Sequence, residues 1–191
     1  MALFGFGRKK TKDSNDRWAG WPETLDVRDS DDVNWIKQSN DPLVWHTAAI
    51  ACLIFRGDKH GLMAWLARQP SLDRVTAAAM FMHGSNGVRY LTNGNVEAVR
   101  MQPIQVQEMI DLLCDLSETY ALADNGIGMA SGWEAERTET IAALADNPRA
   151  PMRILERPID QQTAAMPYTD IGEGELVSEK FIRENMPFLR D

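Results

Sequence analysis

The 191-residue chain carries 28 acidic against 20 basic side chains, a net charge of -8 with histidine neutral, and 44% of its residues are hydrophobic. That length and apolar share suit one compact body with one substantial core. The negative balance excludes nucleic acid as a whole-molecule partner, because phosphate binding relies on lysine and arginine displacing counterions, and it favours a basic or otherwise cationic protein partner.

Residues 1–40 read as an N-terminal arm, extended and partly flexible, in which Leu3, Phe4 and Phe6 precede Arg8, Lys9, Lys10 and Lys12 before a dense set of acids. An apolar tip ahead of bases reverses the order of a secretory signal, and no apolar run approaches bilayer-spanning length, so a cytoplasmic location is expected. Weak membrane-surface contact through residues 1–12 is the most the basic cluster could add. Trp18, Trp21 and Trp35 lie in this polar third outside any evident core helix. Each either folds back as an anchor over the body or belongs to a partner surface. The run Asp29-Ser30-Asp31-Asp32 lacks the glycine and glutamate of a calcium loop, where Asn34 and Asn40 stand, and reads as a solvated acidic linker. Trp18, Trp21, Trp35, Asp29, Asp31 and Asp32 are therefore the candidate partner-binding residues: aromatics to desolvate, acids to steer a cation.

Residues 41–147 read as a helical core domain. Asp41-Pro42 predicts a helix start, a capping carboxylate followed by a proline whose missing N–H costs nothing there, and the apolar surface of Leu43, Trp45, Ala49, Ile50, Leu53 and Ile54 carries it to Phe55 or Arg56 before Gly57. A second helix is expected from Asp58 to Gln69, stopped by Pro70, and a third from Ser71 or Asp73 to Gly84, with Thr76-Ala77-Ala78-Ala79 allowing close helix approach. Val88-Arg89-Tyr90-Leu91 reads as a strand or extended chain before a Thr92-Asn93-Gly94-Asn95 turn. Val106, Met109, Ile110, Leu113, Leu116 and Tyr120 recur at helical spacing and predict a long helix over 105–123. Ser131 with Glu134 forms a capping-box pattern for a helix through Ala145. The expected fold is thus mainly α: about five core helices, little strand, and a Pro-rich C-terminal segment, 148–191, packed on the core with a last helix from Ser178.

No catalytic residue, cofactor or metal site is predicted. His46, His60 and His83 match no compact metal spacing. His83-Gly84-Ser85-Asn86-Gly87 is not a nucleophile elbow, because its glycines do not stand two residues either side of Ser85, and His83 suits a helix C-terminus. The Gly126–Gly132 stretch has neither the glycine spacing nor the lysine of a phosphate loop and reads as a helix-helix turn. Cys52 and Cys114 fall inside apolar helical stretches and read as buried reduced thiols.

Trp65, Pro70 with Asp73 three residues on, Thr76-Ala77, Phe81 and then Arg89-Tyr90-Leu91 resemble a small bacterial family, domain of unknown function 4274. The resemblance covers about a third of the chain. It implies a bacterial helical domain of a sort often seen near polymorphic toxin and immunity genes, and it carries no catalytic or binding residues. The expected function is a bacterial protein-binding protein, most specifically an immunity-type protein that neutralises a toxin by direct contact. The alternatives are a small hydrolase or transferase with a site near His83, Tyr90 and the acidic groups, and a cytoplasmic scaffold or membrane-surface adaptor.

Overall fold

Short side chains at three helix starts do what their chemistry dictates, accepting from N–H groups that have no partner in the first turn. The computed structural model describes residues 18–97, 102–119, 122–129, 131–159 and 162–186. In it Asp41 accepts from Leu43 N, Asp73 from Val75 N and Ser178 from Phe181 N. These open α2 (Pro42–Ala51), α4 (Arg74–Met82) and α9 (Glu179–Asn185).

The fold is mainly helical with one small sheet. Helix α2 widens into a π-helical turn, Cys52–Arg56, closed by Gly57 N donating to Cys52 O at 2.8 Å, so the expected end at Gly57 holds. The expected second helix is shorter than its pattern. Only α3 (Leu62–Leu66) forms, because Gly61 is left-handed and Asp58 reaches forward to cap it, accepting from Leu62 N and Met63 N at 2.9 and 2.7 Å. Helix α4 lies at the centre, with all nine residues buried, Ala77, Ala78 and Ala79 among them, and packs against α2 and the later helices.

Val88 to Leu91 is not extended. It belongs to α5 (Asn86–Asn93), entered through a tight corner at His83–Ser85 in which Gly84 and Ser85 have φ of 60° and 57°. Asn86 then clasps the outgoing chain: its amide donates to Glu97 O and accepts from Glu97 N. Local β-branched and aromatic content pointed to a strand, but a helix turned by that corner lays Val88 and Leu91 against the core, and tertiary packing overrides the weak local preference. Helices α6 (Pro103–Thr119) and α7 (Ser131–Ala143) follow, α6 burying Val106, Met109, Ile110, Leu113 and Leu116 as its spacing predicts. Tyr120 lies outside the described residues. Glu134, read as half of a capping box, instead takes Arg137 Nε at 2.9 Å and Ile159 N at 3.0 Å. Arg137 and Arg74 in turn donate to the carbonyls of Leu155, Arg157 and Pro158, at the end of the short α8 (Met152–Leu155) and just beyond it. Two buried arginines thus hold the first part of the Pro-rich segment on the core.

The larger departure from expectation lies at the two ends. Residues 18–40, read as arm and linker, contain β1 (Thr24–Asp26) and α1 (Ser30–Ser39), whereas residues 1–17 lie outside the described residues. The C-terminal segment contributes β2 (Tyr168–Gly172) and β3 (Glu175–Ser178). Both neighbouring pairs of the sheet, ordered β1-β3-β2, are antiparallel, with Leu25 opposite Leu176 and Thr169 opposite Val177. The β2–β3 hairpin turns through Glu173 and Gly174, whose φ of 57° and 90° suit a two-residue turn matched to strand twist. Chain segments 150 positions apart are thereby zipped together against α2.

Candidate functional site

Sequence reasoning left Trp18, Trp21 and Trp35 between two roles, anchor and partner contact, and the structure gives them a shared place. Trp35 is in the middle of α1, half-buried and packed against the core. Its ring meets Trp21 edge-on at 5.4 Å, and Trp21 stacks over Tyr168 at 6.5 Å with 8° between planes. Trp18 leans on Trp21 at 6.4 Å and 42°. All three tryptophans pack against the core from partly exposed positions. Tyr168, which sequence reasoning missed, is the floor of the cluster: 2% exposed, its hydroxyl donates to Pro22 O at 2.9 Å, and burial with the nearby Asp32 carboxylate pushes its phenol well up. Only a pairing between β1, β3 and β2 could have revealed it.

The acids are not a linker. Asp29 is the N-cap of α1, accepting from Asp31 N and Asp32 N at 2.8 and 3.1 Å. Asp31 is exposed in the first turn, where its charge complements the helix dipole. Asp32 reaches back to accept from Asp26 N at 2.8 Å, closing an N–H on the outer edge of β1. The combination of an Asp at the cap with two more in the first turn was a legible helix start that the acidic composition hid. Beside it, Arg28 forks onto Asp26 (Nε to Oδ1 2.7 Å, Nε to Oδ2 2.9 Å) and reaches Glu175 at 3.1 Å. Its hydrogen bonds hold the Asp26 carboxyl below the usual range despite partial burial. Asp31 stands one turn before Trp35 on α1, and Asp32 is near enough to Tyr168 to raise its phenol, so the acid-rich helix start adjoins the aromatic cluster.

Two concavities open at this aromatic cluster, and Trp18 lines both. One, of about 430 Å³, lies toward the start of α2, with Asp41, Leu43, Asn125 and Ala164. The other, of about 620 Å³, is lined by residues 18–23, by Tyr168 and by Lys180, Arg183 and Glu184 of α9. The loop carrying Asn125 is fixed from below. Asp73, 1% exposed, accepts from Asn125 N at 2.8 Å and Asn125 Nδ2 at 3.0 Å, and burial raises its pKa against those bonds. Gly126 O accepts from Thr163 N and Ala164 N, so the predicted turn after α6 is stitched to the C-terminal segment.

The groups that could do chemistry are separately accounted for. His46 pairs through Nδ1 with Thr76 Oγ1 at 2.9 Å between α2 and α4, and burial drops its pKa to about 4. His60 Nε2 meets Arg28 O at 2.7 Å. His83 stacks on Trp133 at 6.3 Å, its pKa lowered by burial, while Tyr90 donates to Asp111 at 2.9 Å with Arg149 on the other carboxylate oxygen. The two residues named for an enzyme site thus belong to different pairs. Burial raises both thiols, Cys114 to about 12, away from the thiolate a nucleophile needs. Among the described residues no group of three His, Cys, Asp or Glu could hold a metal ion, and no helix is long and apolar enough to cross a membrane. Comparison of the chain with protein-family models, with curated proteins and with solved structures gives no match.

Proposed function

We propose that the chain is a protein-binding protein of the bacterial cytoplasm, and specifically an immunity-type protein that neutralises a cationic toxin by direct contact. The observation that carries this reading is the meeting of Trp18, Trp21 and Trp35 in one partly exposed cluster beside the acid-rich start of α1. Aromatic side chains supply contact area at an interface centre, and peripheral acids raise the encounter rate with a basic surface. The net charge of -8 points the same way, as does the resemblance of the 65–91 stretch to domain of unknown function 4274. A hydrolase or transferase reading has no comparable support, since His83 and Tyr90 do not face a common cleft partner.

The test is binding to the product of the gene adjoining this protein's own, followed by surface plasmon resonance at several salt concentrations, with growth rescue on co-expression as the cellular readout. Replacing Asp29 and Asp31 with asparagine is expected to slow association and flatten its salt dependence, while Trp18→Ala quickens dissociation about tenfold. Asp32 is left unchanged because its carboxylate closes the edge of β1. No rescue and no binding, or unchanged kinetics in both folded variants, refutes the reading.

A further inference from the structure

The walls of the cavity of about 620 Å³ are tied together by main-chain bonds. Ser178 N donates to Glu23 O at 2.8 Å and Glu179 N to Pro167 O at 3.0 Å, so residues 23 and 167 and the first turn of α9 keep fixed places around it. Tyr168, which also lines it, is fixed through its hydroxyl on Pro22 O, and Trp21 lies parallel to Tyr168 within 8°. The aromatic lining is thus positioned before any ligand arrives. Among the described residues, Glu23, Lys180 and Glu184 at this cavity form no side-chain hydrogen bond or ion pair. Lys180 and Glu184 stand one turn apart on α9, a spacing at which an ammonium and a carboxylate commonly pair, yet they do not pair here. Charges of both signs therefore surround one aromatic-lined space without cancelling each other. Trp18 and Arg183 line it too, but both hold other partners, Arg183 Nε donating to Glu179 O at 3.2 Å, and no ligand contact is assigned to either.

We propose that this cavity binds a free aromatic α-amino acid as its zwitterion: Lys180 takes the carboxylate, Glu184 and Glu23 take the ammonium, and the ring packs against Trp21. An α-amino acid carries both charges on one carbon, and side chains at i and i+4 of a helix emerge about 5–6 Å apart, so Lys180 and Glu184 can hold the two poles at once. An anion would meet two carboxylates, and a cation would leave Lys180 without a counter-charge. A ligand carrying both signs satisfies all three groups. Aromatic rings attract one another stacked or edge-on at centroid separations of about 4.5–7 Å, which gives the ligand's ring a reason to lie on the indole. The volume falls in the range of small-ligand cavities, about 300–1,000 Å³. The site needs no protein partner, although it shares Trp21 with the candidate partner surface.

The probes are L-phenylalanine, phenethylamine, which lacks its carboxylate, and hydrocinnamate, which lacks its ammonium, titrated by isothermal calorimetry against the whole protein at neutral pH. L-phenylalanine is expected to bind about fivefold tighter than either of the others, the difference one partly exposed ion pair supplies. In Lys180→Met, L-phenylalanine and phenethylamine are expected to bind equally. In the double variant Glu23→Gln, Glu184→Gln, L-phenylalanine and hydrocinnamate are expected to bind equally. The three side chains make no bond that holds the fold, so both variants are expected to melt with the wild type. No binding of L-phenylalanine at millimolar concentration, equal affinity of the wild type for the three probes, or a preference that survives the substitutions overturns the proposal. Each of these outcomes is read without the toxin, so the protein-binding reading stands or falls separately on its own assay.

Discussion

Acidification is expected to destabilise this protein in part through one buried ring, that of His46. His46 of α2 is 8% exposed, with Thr76 Oγ1 of the fully buried α4 at 2.9 Å as its polar partner. Its folded pKa of about 4 lies below the ordinary 6.5 because burial disfavours the charged ring. The unfolded state therefore binds the proton more tightly: the stability linked to His46 is fully present above pH 6.5 and is lost as pH falls from 6.5 toward 4. At 1.36 kcal/mol per unit the full loss is about 3 kcal/mol, roughly 2 of it already by pH 5, a large fraction of a typical domain's margin. Carboxylates titrate in the same window, so the informative quantity is a difference. Urea unfolding at pH 7.5 and pH 5.0 is measured for the wild type and for His46→Gln, which keeps a polar group but cannot titrate. The wild type is expected to lose about 2 kcal/mol more than the variant between the two conditions. Equal losses would show that the protonated ring finds a partner the folded structure does not offer, and would refute the reasoning.

Gly87→Ala is expected to cost at least 1–3 kcal/mol, because a Cβ there would stand 2.5 Å from the Phe81 ring and 2.7 Å from Phe81 O; a melting temperature within a degree of wild type would contradict that packing. Asp73→Ala removes the α4 cap and both bonds to Asn125, for a loss of about 2–4 kcal/mol with faster amide exchange at Asn125; exchange unchanged at Asn125 would mean the loop is held otherwise.

Much of the helical skeleton was legible in the sequence because its signals are local. Asp41-Pro42, Asp73 and Ser178 satisfy N–H groups two or three residues away, and the period of Val106, Met109, Ile110 and Leu113 faces a core whatever that core contains. A capping carboxylate or an apolar stripe needs no knowledge of distant chain. The candidate partner-binding residues were also readable by type, since three tryptophans beside a dense acidic run are unusual in a polar stretch. Their arrangement was not. Trp21 lies over Tyr168 only because Leu25 pairs with Leu176 across 151 positions, and the strands involved are three to five residues long, too short to show a period of their own. Asp32 could not be told from a solvated acid until the strand edge it closes was in place. Val88 to Leu91 had strand-like side chains and became helix because the Gly84–Ser85 corner and the Asn86 clasp on Glu97 fix where that segment enters the core. Local hydrogen bonding and periodicity are written in neighbouring residues, whereas sheet pairing, cleft shape and the use made of each acid depend on contacts between segments whose meeting is decided by packing.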